Sequence, residues 1–190
     1  MESNSQSFQD LFALQVCTKK TYIEIGANRP IKRNNTYLLE NNEYTGYSIE
    51  FNTKWQRFWN KTQRKNKIYF ADAITFDYLQ ANQENNLTNK IGYLSCDIEP
   101  VTNTFSALKR VINQGIEFEC ITFEHDIYQS DIDLRENVNS FLSNNGYKIA
   151  VNNVYLYPDS DKIFETWYVH SSIEFKECNF SDWIRTIDIH

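Results

Sequence analysis

Carboxylates recur in this chain just after short apolar runs. Tyr22-Ile-Glu-Ile-Gly-Ala-Asn28 carries Glu24 and Gly26, and Gly46-Tyr-Ser-Ile-Glu50 ends on Glu50. Ile68-Tyr-Phe-Ala-Asp-Ala73, Gly92-Tyr-Leu-Ser-Cys-Asp-Ile-Glu99 and Cys120-Ile-Thr-Phe-Glu-His-Asp126 repeat the pattern with Asp72, Asp97 and Glu124. One acid after a strand is commonplace, being solvated or capping a helix. Five in succession at one sheet edge repel one another and desolvate poorly, which suits a cationic partner: an amine, a sulfonium or a metal ion. His125 stands between two acids and its ordinary pKa lies near neutrality, so it reads equally as a general base and as a partly buried histidine bonded to a neighbouring acid.

The first two acids have the spacing of a nucleotide-type site, with Glu50 placed to hydrogen-bond a ribose. The phosphate-cradling glycines are missing, however. Gly26 is followed by Ala27-Asn28-Arg29-Pro30, not by G-x-G-x-x-G, so backbone N–H groups are poorly arranged for a pyrophosphate. A ligand with a positive amine and no phosphate fits better. S-adenosylmethionine has that description and NAD does not, which disfavours a nucleotide-linked dehydrogenase.

The elements that must position these residues alternate along the chain. A leading helix over Phe8–Val16 precedes strands at Tyr22–Ile25, Tyr47–Ile49, Lys67–Ala71, Ile91–Cys96 and Phe118–Phe123. Helices are expected at Thr36–Glu40, at Trp55–Asn60 behind an Asn52 cap, at Phe76–Ala81, at Phe105–Ile112 and at Asp131–Asn144, the last stopped by Gly146. Asp72 reads equally as a ligand contact and as a cap for the Phe76 helix. Tyr147–Val151 and Phe164–Val169 should pair antiparallel across Tyr157-Pro-Asp-Ser-Asp161, with Ile149, Val151, Phe164 and Tyr168 covering the core. The expected fold is α/β: a doubly wound, mostly parallel seven-stranded Rossmann-like sheet with an antiparallel C-terminal hairpin. One domain spans residues 1–190: an N-terminal helix in 1–18, a core in 19–175 and a tail in 176–190.

Composition narrows the function classes. The 190 residues are 41% hydrophobic and 15% aromatic, with a formal net charge of −6. That charge argues against a nucleic-acid partner, because phosphate affinity comes mainly from clustered Lys and Arg. The one basic stretch, Lys54 to Lys67, interleaves with Trp55, Phe58 and Trp59 and reads as a solvated helix face followed by a loop. Cys17, Cys96, Cys120 and Cys178 form no C-x-x-C pair, which suits neither a zinc site nor a disulfide framework and fits a reducing compartment. No leader-like or membrane-spanning run is present, so a cytoplasmic protein without a membrane partner is expected.

The same segments resemble the FkbM family of S-adenosylmethionine-dependent methyltransferases. The resemblance runs from about Thr21 to Val169 and rests on Tyr22–Asn28, Ser48–Glu50, Ala71–Ala73, Tyr93–Glu99 and Ile121–Asp126. Arg29-Pro30 and Pro100 depart from the family pattern on two loops. The resemblance implies that Glu24, Gly26, Ala27 and Asn28 face the methionine end of the cofactor, with Asp97 also reaching its amine. Glu50 would bind the ribose, Asp72 and Ala73 the adenine edge, and Phe51 or Ile74 its faces. His125, Asp97 and Glu124 are the implied catalytic set. Its implied reaction is O-methylation of a small molecule or sugar. The alternative is a non-catalytic module that binds the cofactor or a related nucleoside. A divalent metal held by Asp97, Glu124 and His125 is a further option, weighed below a metal-free base.

Overall fold

The computed structural model describes residues 2–156 and 160–174. Seven strands form one sheet: β1 (Thr21–Ile25), β2 (Thr45–Glu50), β3 (Lys67–Phe70), β4 (Lys90–Cys96), β5 (Glu117–Glu124), β6 (Tyr147–Tyr155) and β7 (Ile163–His170). Their spatial order is β3-β2-β1-β4-β5-β7-β6. The first five are parallel to one another, and β7 runs antiparallel to both β5 and β6. The expected hairpin is therefore present, with its second strand inserted beside β5. Residues 157–159 of the expected turn, the 176–190 tail and Cys178 lie outside the described residues.

Alternation along the buried strands sends side chains to two cores. Ile23 and Ile25 of β1, with Leu94 and Cys96 of β4, join the face covered by α4 (Tyr78–Glu84), α5 (Val101–Asn113) and α6 (Arg135–Asn144). Tyr22 and Tyr93 point the other way, to Phe12 and Ala13 of α1 (Gln9–Val16) and Leu39 of α2 (Tyr37–Asn41). Val151, Phe164 and Tyr168 are buried as expected, but Ile149 is 43% exposed. The ladder between β6 and β7 is irregular between Ile149 and Val151, and that shift breaks the alternation the expectation relied on.

Several helices begin elsewhere than the pattern suggests. Asn52 does cap a turn, accepting from the Lys54 N–H at 3.1 Å. That turn is a 3₁₀ segment, Thr53–Trp55, and a short α3 (Gln56–Trp59) follows it. The α4 helix starts at Tyr78, two residues late, because Asp77 is its cap and accepts from the Gln80 N–H at 3.0 Å. Asp72 is thus no helix cap. The α6 helix begins at Arg135 and not at Asp131, and Gly146, at φ 86°, follows it in the left-handed conformation glycine tolerates. Cys17 and Cys120 bring their sulfurs to 3.2 Å of each other, a pairing that a separation of 103 residues conceals in the sequence. Among the described residues no helix is long and apolar enough to cross a membrane.

The basic stretch is not all solvated. Trp59 is buried, and the Arg64 side chain is only 3% exposed. Its guanidinium donates to Glu40 at 2.8 Å, to the Pro30 carbonyl at 2.7 Å and to Asn34 at 3.0 Å. It also donates to Thr36 at 3.0 Å and to the Tyr22 hydroxyl at 3.2 Å. One planar fork thereby ties the loop after β1 to α2 and to the sheet. Arg64→Ala should destabilise the fold by about 3–5 kcal/mol, because it strands the buried Glu40 carboxylate without its counter-charge. Urea unfolding would measure the loss, and Arg64→Lys should recover only a minor part of it, since a point charge cannot serve five acceptors.

Candidate functional site

Parallel strands deliver their C-terminal ends to one edge, and the backbone there is shaped around Gly26. Its φ is 86°, and a Cβ at this position would lie 1.5 Å from the Asp97 carbonyl oxygen. The Gly26 and Ala27 N–H groups both donate to the Ile49 carbonyl, and the Asp97 N–H donates to Ile25. Only glycine lets the ends of β1 and β4 meet this closely.

Two clefts meet at Gly26. One, about 430 Å³, is bordered by Glu24, Ala27, Asn28 and Asp97, with Arg29, Lys32 and Arg33 on its other side. The second, about 210 Å³, has Phe51, Ile74 and Ile98 as apolar walls and Asp72, Glu99 and Asn103 as polar ones. Phe51 is 75% exposed, an unusual state for a large aromatic. Asp72 uses one oxygen to accept from the Ile74 N–H at 2.9 Å, an Asx turn that fixes the carboxylate on the cleft wall. Ala73 is buried beside it.

Glu50 organises the rim between these clefts. Its two oxygens accept from the Asn28 and Asn52 N–H groups, each at 2.7 Å. Each oxygen retains a lone pair for a further donor. Asn28, at φ 49°, in turn receives the Trp59 indole N–H on its carbonyl at 2.9 Å.

Glu24 is placed differently from the expectation that it meets an amine. It is 2% exposed, and both oxygens are engaged, by Asn34 at 3.0 Å, Thr36 at 2.9 Å and Ser48 at 2.6 Å. Burial pushes its pKa up, while Arg64 and these three donors hold it down. Its role is to brace the loop of residues 26–36 from beneath. Asn35, beside it, donates to Ser95 at 2.9 Å and lines the larger cleft.

Beyond β1 the edge is an acidic pocket. Asp97 and Glu124 are close neighbours, and both carboxyls are raised, first by burial and then by the acids around them. His125 is 1% exposed, its N–H donates to the Phe164 carbonyl at 2.7 Å, and neither ring nitrogen has a partner. Burial, with Arg135 adding to it, lowers its pKa to about 4, so the ring is neutral at pH 7. Asp126 accepts from Gln129 at 2.8 Å on one oxygen and leaves the other unpaired. Buried polar atoms are nearly always satisfied, which makes these three exceptions. Among the described residues no three His, Cys, Asp or Glu side chains are grouped to hold a metal ion, and Asp97, Glu124 and His125 are not such a group.

Sequence reasoning missed one member of this pocket. Glu165 lies near the start of the antiparallel strand and pairs in register with Glu124. It is 2% exposed and accepts from Gln9 at 2.9 Å and from the Trp167 indole at 2.5 Å. The available signal was the hairpin itself: a strand antiparallel to β5 brings its beginning, not its end, to the functional edge.

No family model matches the chain, and no curated protein does either. Solved structures do. TrmK of M. capricolum, bound to S-adenosyl-homocysteine, superimposes with a TM-score of 0.60 over 94% of this chain and 75% of that one, at 12% identity. Magnesium protoporphyrin IX methyltransferase from Synechocystis PCC 6803, with S-adenosylmethionine bound, gives 0.58 over 87% and 79%, at 12% identity. An rRNA methylase from Streptococcus thermophilus gives 0.55 over 90% and 98%, at 8% identity. The likeness is one of fold, and the fold is the Rossmann-like sheet of these methyltransferases.

Burial raises the Glu165 pKa to about 8, from 4.5. The folded state therefore keeps a proton that the unfolded chain releases, and this contribution fades as pH rises through 8. Asp97 and Glu124 act in the same sense. His125 acts oppositely, but only between its ordinary 6.5 and about 4. From pH 6.5 to 8 the melting temperature should fall, and Glu165→Gln should flatten that fall; an equal slope in the variant refutes the assignment.

Proposed function

We propose that this chain is an S-adenosylmethionine-dependent methyltransferase of FkbM type, acting on an oxygen of a small molecule or sugar in the cytoplasm. The observation that carries the reading is the pair of clefts joined at Gly26, with a carboxylate standing over each and no phosphate loop. Those residues fit the cofactor. Phe51, Ile74 and Ile98 offer apolar faces to an adenine, the uncommitted oxygen of Asp72 suits its exocyclic amine, and the Glu50 lone pairs suit adjacent ribose hydroxyls. The larger cleft offers Asp97 to the amine of a methionine moiety and the cations Arg29 and Lys32 to its carboxylate.

When bound, the cofactor supplies an activated methyl on a sulfonium. The protein's own part is then placement and proton removal. His125 is neutral at pH 7 and has both ring nitrogens vacant, so it can accept the acceptor hydroxyl's proton. Asp133 is the carboxylate that favours the imidazolium so formed, against burial and Arg135. The apolar and hydrogen-bonded surroundings of β5 and β7 exclude water from that transfer.

Calorimetry should detect binding of S-adenosylmethionine and S-adenosylhomocysteine. Glu50→Ala should weaken both by about 1–3 kcal/mol through lost charge-assisted hydrogen bonds. Tight NAD binding without S-adenosylmethionine binding would overturn the proposal. His125→Ala should abolish methyl transfer and leave cofactor binding within a few fold, with wild-type transfer persisting in excess chelator. Transfer lost to the chelator would return the metal to Asp97, Glu124 and His125.

A further inference from the structure

The charge of this chain is segregated. Residues 29–67 hold nine of its 19 Lys and Arg and only three of its 25 Asp and Glu. Two of those three acids are neutralised or hidden: Glu40 by Arg64, and Glu50 beneath the rim at 8% exposure. What reaches the surface is mainly cationic, Glu43 being the exposed acid. A broad open cleft of about 750 Å³ lies on the outer side of Arg29, bordered by Lys54, Trp55, Arg57 and Phe58. Arg29 and Trp55 also border the larger cleft at Gly26, so the two spaces adjoin. Among the described residues, none of Arg29, Lys54 and Arg57 forms an ion pair with a carboxylate.

The aromatics of this lobe are used as platforms. The Arg29 guanidinium lies 5.4 Å from the Trp55 ring centroid, the Lys54 ammonium 5.0 Å from the same ring, and Arg57 4.7 Å from Phe58. Phe58 is 40% exposed. Cations alternating with partly exposed rings match a ligand whose phosphates alternate with flat rings, once the side-chain cations move from the rings to the phosphates. A neutral sugar would use neither feature, and a duplex would find no element shaped for a groove.

We propose that this lobe binds a nucleotide unit of the methyl acceptor, its phosphate on Lys54 and Arg57 and its base against Trp55 and Phe58. The chain's net negative charge is no obstacle, because phosphate contacts act within about a Debye length of 8–10 Å. The link to methyl transfer rests on the function proposed above, whereas binding at the lobe does not. A free nucleotide keeps the small-molecule acceptor proposed above, whereas a nucleotide within a single strand would replace it, and the two sources offer the same chemistry.

The test is fluorescence anisotropy with a labelled single-stranded RNA octamer, and competition by uridine diphosphate, at low and moderate salt. Wild-type protein should bind at least one probe, with affinity falling as salt rises. Lys54→Glu with Arg57→Glu should cut binding at least tenfold and flatten the salt dependence. Phe58→Ala should cut it severalfold at unchanged salt slope, and Lys90→Glu, on an exposed residue at the opposite edge, should leave it unaltered. Competition by the diphosphate at parity with the octamer assigns a free nucleotide; octamer binding alone assigns a single strand. Binding of neither probe, or equal binding by the charge-reversed protein, overturns the proposal. Calorimetry with S-adenosylhomocysteine on the same samples separates the two readings. Probe binding without cofactor binding rejects the methyltransferase and keeps the lobe, and the reverse rejects the lobe alone.

Discussion

One buried guanidinium sets the geometry on which the candidate site depends. Arg64 enters from the segment after α3 and meets acceptors from β1, from the loop after it and from α2. Through Asn34 and Thr36 it also reaches the donors that hold Glu24. Two carboxylates, Glu24 and Glu40, are thereby kept inside the protein next to a single cation. The loop of residues 26–36 has little secondary structure of its own, and this network gives it a fixed shape. Gly26, Asn28 and Arg29 take their positions from that shape. A loop held from beneath in this way leaves its upper surface available to a ligand.

The opposite side of the edge follows a different rule. Asp97, Glu124, Asp126 and Glu165 crowd together, and burial and mutual repulsion raise the pKa of Asp97, Glu124 and Glu165, the last to about 8. The result is an electrostatic asymmetry across Gly26, with cations on the loop side and protonatable acids on the β5 side. A zwitterionic ligand lying between them would meet complementary charge at both ends.

Much of the fold was legible in the sequence because buried parallel strands read as apolar runs and each was punctuated by an acid or a glycine. The strand cores at Tyr22–Ile25, Ile91–Cys96 and Phe118–Phe123 fall within observed strands. Helix starts were less legible, since they depend on which of several acids caps: Asp77 prevails over Asp72 through one hydrogen bond. The irregular β6 ladder hid the fate of Ile149. At the site, strand-end acids could be found by position alone, but whether each faces a ligand or the interior could not. Glu24 shows why: its partners Asn34, Thr36 and Ser48 are ordinary polar residues, and only their convergence removes it from solvent. Arg64 was concealed among exposed lysines of the same charge, and net charge concealed the segregation of cations onto one lobe.

The reversed direction of β7 also bears on how the molecule comes into being. β7 lies between β5 and β6, so β5 keeps an open edge until the later strand has been made and slotted in. Glu165 then finds Gln9, a partner 156 residues away in sequence. Contacts this distant close large loops and arrive late in folding. During synthesis on the ribosome the five parallel strands would be complete while the acidic pocket still lacked a wall, so that pocket would acquire its buried, proton-holding character only in the last step of assembly.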